Sequence, residues 1–228
     1  MQRKNMWKEY TEIQQKELEE LSVRYKECLD IGKTERECVK LGKKMADTWG
    51  YKNLEDCISE GTTLKAGDKV YADCMGKAFV MFQLGKKPLE EGMNILGAHI
   101  DSPRIDVKQN PLYEDSDMAY LDTHYYGGIK KYQWVTIPLA IHGTIAKKDG
   151  TVQDIIIGEK EDDPVFCITD LLPHLAAKQN ERQLKDGLKG EELNVVLGSL
   201  PYEGEDIKDA VKLSILALLH EQYGMKEK

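Results

Sequence analysis

No apolar run in this 228-residue chain approaches the roughly 20 residues a membrane helix needs, and residues 1–10 lack the apolar centre of a secretion signal. A cytoplasmic protein with no membrane partner is the expectation. Phosphate-cradling glycine loops are missing as well, since neither G-x-G-x-x-G nor G-x-x-x-x-G-K-[ST] occurs. No G-x-S-x-G elbow surrounds Ser102, which removes a serine-hydrolase reading. Positive charge is in deficit. The 32 Lys and Arg face 40 Asp and Glu, a net charge of −8, whereas nucleic-acid binders cluster Lys and Arg on one face. Nucleic acid is therefore not an expected partner. Cysteine is sparse too: Cys28, Cys38, Cys57, Cys74 and Cys167 are odd in number and form no C-x-x-C pair. That pattern fits free packing thiols in a reducing compartment, not a disulfide frame or a thiolate zinc site.

What is present suffices for a core, with 41% hydrophobic residues and enough length for one large domain or two small ones. Residues 5–31 place Ile13, Leu18, Leu21 and Tyr25 at helical spacing, and Gly32 closes the run. Thr34 and Glu37 form a capping-box pattern ahead of Cys38, Leu41 and Met45, which predicts a second helix to about Gly50. Two β-rich runs, 69–74 and 78–84, flank Met75-Gly76-Lys77 as a hairpin, and 93–100 is predicted as a further strand. After Pro103, Asp106, Asp115, Asp117 and Asp122 point to a polar loop that leads into Thr123-His124-Tyr125-Tyr126-Gly127-Gly128. A domain boundary is placed near Arg104. Beyond it, 134–147 and 151–158 flank the hairpin signal Asp149-Gly150, and Thr169 or Asp170 caps a short predicted helix carrying Leu171 to Ala176. Residues 193–200 read as a strand. Residues 205–223 read as an amphipathic helix with Ile207, Ala210, Val211, Ile215, Leu218 and Leu219 on one face and Gly224 as its C-cap.

One stretch carries chemistry. In Asn94-Ile95-Leu96-Gly97-Ala98-His99-Ile100-Asp101-Ser102-Pro103-Arg104, an apolar run ends in His-x-Asp and a proline. Residues i and i+2 of a strand share a face, so His99 and Asp101 are expected side by side where the strand meets a loop. A neutral imidazole is the commonest metal ligand, and a carboxylate beside it can hold its second ring nitrogen. Read alone, the pattern first describes a strand-end histidine satisfied by a nearby carboxylate, and only second a metal ligand.

The order Gly97-Ala98-His99-Ile100-Asp101-Ser102-Pro103-Arg104, then Tyr126-Gly127-Gly128, then Leu172-Pro173-His174-Leu175-Ala176 resembles the aspartyl aminopeptidase and aminopeptidase I family of zinc exopeptidases, its bacterial branch in particular. The resemblance covers essentially the whole chain. It implies an α/β fold class: residues 1–104 as the N-terminal part of an α/β/α zinc-peptidase domain, and 105–228 as a β-rich dimerisation domain. It also implies His99 as a zinc ligand and Asp101 as the catalytic aspartate behind it, in an enzyme that holds two zinc ions. Such metal pairs sit about 3.5 to 4 Å apart and activate a shared water. A peptide substrate and homo-oligomers built from dimers follow from the same resemblance.

Family members are about twice this length, and the remaining ligands fall in the half that would follow Lys228. His99 alone cannot hold a catalytic ion, because zinc takes at least three protein donors or shares them through a bridge. The chain alone is therefore expected to be inactive, and the alternative is a non-catalytic oligomerisation module. His124, His142, His174 and His220 read as packing or surface histidines. Lys178 stands where the eukaryotic branch has a second histidine, and the text after Gly128 also departs from that branch, so that branch's preference for acidic N-terminal residues is not carried over and no particular preferred residue is named. Lys178, Lys130 and Lys131 read first as solvated. Gly127-Gly128 allows a tight turn, either beside the site or as an ordinary loop.

Overall fold

The computed structural model describes residues 3–204 and 207–225. The chain divides into two compact units, Met1–Ser102 and Pro103–Lys228.

In the first unit, a single 3-10 turn at Met6–Lys8 precedes α1, Glu12–Ile31. The continuous helix expected from residue 5 is thus broken. The reason is local: Thr11 and Gln14 form a capping box, which starts a new helix and satisfies its first amides. Helix α2, Glu35–Thr48, begins at the Thr34–Glu37 box that the sequence shows. Between 51 and 68 lie two elements the sequence reading passed over, β1 (Lys52–Asn53) and α3 (Leu54–Ser59). The available signal was Asn53, whose side chain accepts from the Glu55 amide ahead of an acidic first turn. β2 (Lys69–Cys74) pairs parallel with β1 and antiparallel with β3 (Ala78–Gln83), and Met75 and Gly76 turn the hairpin at positive φ. Val39 and Ala46 of α2 are buried, as are Val70 and Tyr71 of β2. Lys43 reaches Asp73 at 2.6 Å, and Tyr71 leans on Phe79.

Residues 93–100 form no strand. A strand requires a ladder for its amides and carbonyls, and the segment finds none among the described residues. Its apolar residues stand out in solvent, with Leu96 fully exposed.

The second unit contains a hairpin where a polar loop was expected. β4 (Arg104–Asp115) and β5 (Met118–Tyr126) pair in an antiparallel ladder, and β8 (Val195–Gly198) extends the sheet on the far side of β5. Charge misled the reading. Asp122 lies in β5 at the register shift and meets Lys108 at 3.1 Å, and the two-residue turn uses Ser116 and Asp117 at φ 52° and 57° in place of the usual Asn-Gly. Asn110 and Pro111 fall in the register shift between Val107 and Leu112, where proline removes no ladder bond.

β6 (Ile141–Ala146) and β7 (Val152–Ile157) form the hairpin that Asp149-Gly150 signals, closed by Asp149 accepting from the Thr151 amide. Residues 134–140 do not join β6. Thr136 takes positive φ and Pro138 cannot donate, so the chain instead hangs on the carbonyls of Ile168 and Phe166. The helix expected over Leu171–Ala176 is a turn, and α4 follows as Ala177–Asn180. Asp170 accepts from Leu171 and Gln179 rather than capping a helix. Helix α5 runs Ala210–Tyr223 and ends at Gly224 in the left-handed conformation. The expected start at residues 205 and 206 lies outside the described residues. The core of this unit is Val135, Ile155, Ile157, Phe166, Ile168, Leu188, Leu193 and Val195.

Candidate metal centre

His99 and Asp101 meet within the first unit. The imidazole Nδ1 lies 2.9 Å from the Asp101 carbonyl oxygen and 3.3 Å from its carboxylate Oδ1. A carbonyl only accepts, so Nδ1 carries the proton and donates, which leaves the Nε2 lone pair free. The side chain is 82% exposed. The Asp101 carbonyl therefore selects the tautomer, and with the carboxylate close by it limits the ring's rotation, as a carbonyl or carboxylate behind a metal-bound histidine does. The short i,i+2 spacing brings the pair together without a strand.

Zinc fits this arrangement through one donor. Among the described residues no three His, Cys, Asp or Glu side chains gather in a way that could hold an ion. His99 supplies a ligand of the right chemistry, but the described residues do not close a site around it.

The other histidines are engaged elsewhere or solvated. His142 pairs with Glu159 at 2.8 Å, His124 donates to the Tyr125 carbonyl at 2.9 Å and His220 to the Met225 carbonyl at 3.1 Å. His174 and Lys178 are exposed, and so is Ser102. Lys131 approaches the Tyr125 ring at 5.6 Å, while Lys130 is exposed.

The second unit joins two further motif residues that were singled out separately. Arg104 pairs across the ladder with Tyr126 and lays its guanidinium 4.2 Å from the ring centroid, with Asp106 at 2.7 Å. Gly127 turns at φ 72°, and a Cβ there would meet Pro103 at 3.5 Å. The sequence reading missed this contact, although the separation of Arg104 and Tyr126 is that of an antiparallel hairpin. A polar network also lies behind β5. Thr123 donates from Oγ1 to the Leu193 carbonyl and from its amide to Asn194, whose Nδ2 donates to the Tyr113 hydroxyl. Burial pushes the Tyr113 phenol up from its usual value, and the Asn194 bond opposes it.

Residues 29–228 match the family described as aminopeptidase I zinc metalloprotease (M18). The chain belongs to that family. A protein named "Probable M18 family aminopeptidase 1" of Clostridium acetobutylicum is 53% identical over 224 residues, which are 98% of this chain and 48% of the relative. The crystal structure of aminopeptidase I from that organism superposes with a TM-score of 0.85 at 49% identity, over 98% of this chain and 49% of the other. The M18 aminopeptidase structure from Thermotoga maritima superposes with a TM-score of 0.89 at 44% identity, over 99% of this chain and 48% of the other. A Saccharomyces cerevisiae structure, titled as a dodecamer, shares the fold alone, with a TM-score of 0.63 at 18% identity over 92% of this chain and 46% of the other. The chain spans about half the length of the curated relatives it matches, and its mixed α/β fold corresponds to their N-terminal half.

Proposed function

We propose that this chain supplies the first part of a metalloaminopeptidase active site that releases N-terminal amino acids from peptides. His99 is the zinc ligand and Asp101 the carboxylate that orients it. The observation that carries the reading is the Nδ1 contact of His99 with Asp101, which leaves the Nε2 lone pair of a largely exposed ring as the donor to a metal. Zinc, when bound, lowers the pKa of a coordinated water and polarises the scissile carbonyl. This chain's own part is to present one neutral imidazole in a fixed tautomer. Two ions are expected in the complete centre, with the other donors drawn from the half of the relatives that this chain does not span.

The exposed Ile95 and Leu96 support the same reading, because an apolar segment without a ladder is the edge that such a half would cover. Residues 105–228 would pair two chains, and larger homo-oligomers would form from such dimers. A cytoplasmic location agrees with the described helices, none of which is long and apolar enough to cross a membrane.

The test is reconstitution. Co-expression with the C-terminal half of the Clostridium acetobutylicum relative is expected to yield zinc-dependent hydrolysis of aminoacyl substrates, lost on chelation and in His99→Ala. Dimers without turnover in such mixtures, while the relative's own two halves regain activity together, would leave the chain as a non-catalytic oligomerisation module.

A further inference from the structure

Two dipeptides of this chain put glycine directly after aspartate, Asp149-Gly150 and Asp186-Gly187, and the fold treats them differently. In such a pair the glycine nitrogen can attack the aspartate Cγ, because covalent connection alone keeps the two atoms within reach of a five-membered ring. Glycine has no side chain to shield its amide. The step needs that amide and that carboxyl both free to turn.

At Asp149-Gly150 both are tied. Asp149 Oδ1 accepts from the Thr151 amide at 2.9 Å and from the Thr151 hydroxyl at 2.7 Å, and the Gly150 amide donates to the Lys147 carbonyl at 3.0 Å. The Thr151 hydroxyl, then its amide, hold the Asp149 carboxyl below its ordinary value, so it stays an ionised and poorly electrophilic carboxylate. At Asp186-Gly187 both are loose. The Asp186 side chain is 63% exposed, with the open Lys185 ammonium 3.9 Å away. The Gly187 amide has no hydrogen bond among the described residues, since the turn closes one residue earlier, through the Asp186 amide on the Gln183 carbonyl at 2.8 Å. Leu188 comes next, and it is buried in the core of the second unit.

We propose that Asp186-Gly187 is a site of spontaneous isoaspartate formation that loosens the core at Leu188, while Asp149-Gly150 is protected by its own hairpin. The Gly187 nitrogen bonds to Asp186 Cγ, the Cγ–OH bond breaks, and the amide proton leaves with that hydroxyl as water. Water then adds to the main-chain carbonyl carbon of Asp186 in the succinimide, and the bond from that carbon to the Gly187 nitrogen breaks. One water leaves and one enters, so mass is unchanged and nothing is oxidised or reduced. The backbone now runs through the Asp186 side-chain methylene, one atom longer, just ahead of Leu188.

The experiment ages the folded chain in warm neutral buffer beside a urea-unfolded sample. Isoaspartate is mapped by electron-transfer fragmentation and by methyl transfer from labelled S-adenosylmethionine with an isoaspartyl methyltransferase. Both dipeptides should react in the unfolded sample. In the folded one the product at Asp186 should exceed that at Asp149 by roughly tenfold or more, since Asp149 must first break hydrogen bonds to an ionised group. Thr151→Ala should bring Asp149 into reaction. Gly187→Ala, whose Cβ would meet the Leu184 carbonyl oxygen at an ordinary 3.5 Å, should remove most of the Asp186 product. Aged chains that carry isoaspartate should unfold at lower urea than fresh ones, as Leu188 loses its seat. Equal reaction at both dipeptides in the folded chain, reaction at Asp149 alone, no product at Asp186 while the unfolded sample forms it there, or isoaspartyl chains with an unchanged urea midpoint would each overturn the proposal.

Discussion

The Arg104 guanidinium lies over the Tyr126 ring, 4.2 Å from its centroid, at the cross-strand position where β4 begins and β5 ends. Tyr126 opens the Tyr-Gly-Gly string, and Arg104 closes the His-Ile-Asp-Ser-Pro-Arg string. Part of each string is therefore one packed corner of the second unit, in which Pro103 fills the space over Gly127.

Arg104→Ala removes this stack and the Asp106 pair, and is expected to cost about 1 kcal/mol. Arg104→Lys keeps the charge but loses the planar contact, so it recovers only part of that cost. The shift of the urea midpoint measures both.

Gly127 and Gly128 are adjacent but not equivalent. Gly127→Ala places a Cβ at φ 72° and is expected to destabilise by about 1 kcal/mol. Gly128 has neither a positive φ nor a neighbour within 4 Å, so Gly128→Ala stays within about 0.5 kcal/mol. Paired thermal melts test the contrast.

Thr123 is 1% exposed, and its hydroxyl donates to the Leu193 carbonyl. Thr123→Val keeps the shape and strands that carbonyl, at an expected cost of about 1–3 kcal/mol. Thr123→Ser preserves the bond and costs less, chiefly the lost methyl. Chemical unfolding of the two variants gives the order, and a Val variant as stable as the Ser variant would contradict it.

The Lys43 bond holds the Asp73 carboxyl below its ordinary value, helped by the Gly76 amide, and the same bond raises Lys43. A lowered carboxylate contributes stability that is complete above its unfolded value and lost as pH falls through its folded value. A raised lysine contributes below its unfolded value and loses that as pH rises through its folded one. The pair is therefore fully effective between the ordinary carboxylate and lysine ranges. Asp73→Asn should lower stability by about 1 kcal/mol at neutral pH and flatten the acid limb of the stability curve. Urea midpoints across acid pH check both effects.

His99→Ala should leave the urea midpoint of the chain within about 0.5 kcal/mol, since the ring is largely exposed. In a reconstituted enzyme, Asp101→Ala should weaken zinc affinity or activity roughly ten- to a hundred-fold by removing the carboxylate 3.3 Å from Nδ1, while the backbone carbonyl contact remains. Zinc titration and turnover measured on the same sample separate that effect from misfolding.

Short-range signals were legible because their partners are a few residues away. Thr34 with Glu37, Met75-Gly76, Asp149-Gly150 and Gly224 each complete a cap or turn from adjacent backbone, and each appears as read. His99 and Asp101 belong to this class as a contact, since two residues of separation bring Nδ1 to the carbonyl whatever the wider fold. Thr11 with Gln14 is equally local but stands within a helical pattern that runs from residue 5 to residue 31.

By itself the sequence determined the helix caps, the turns, the His99–Asp101 contact and the motif order that marks the family, because each depends on neighbours along the chain. Tertiary structure decided which segments became strands. The apolar run 93–100 has no ladder among the described residues and forms no strand, whereas the acidic 104–126 forms a hairpin because Lys108 and Arg104 meet its carboxylates and Tyr126 covers Arg104. Strand formation needs a partner for each backbone amide and carbonyl, and that partner lies far away in sequence.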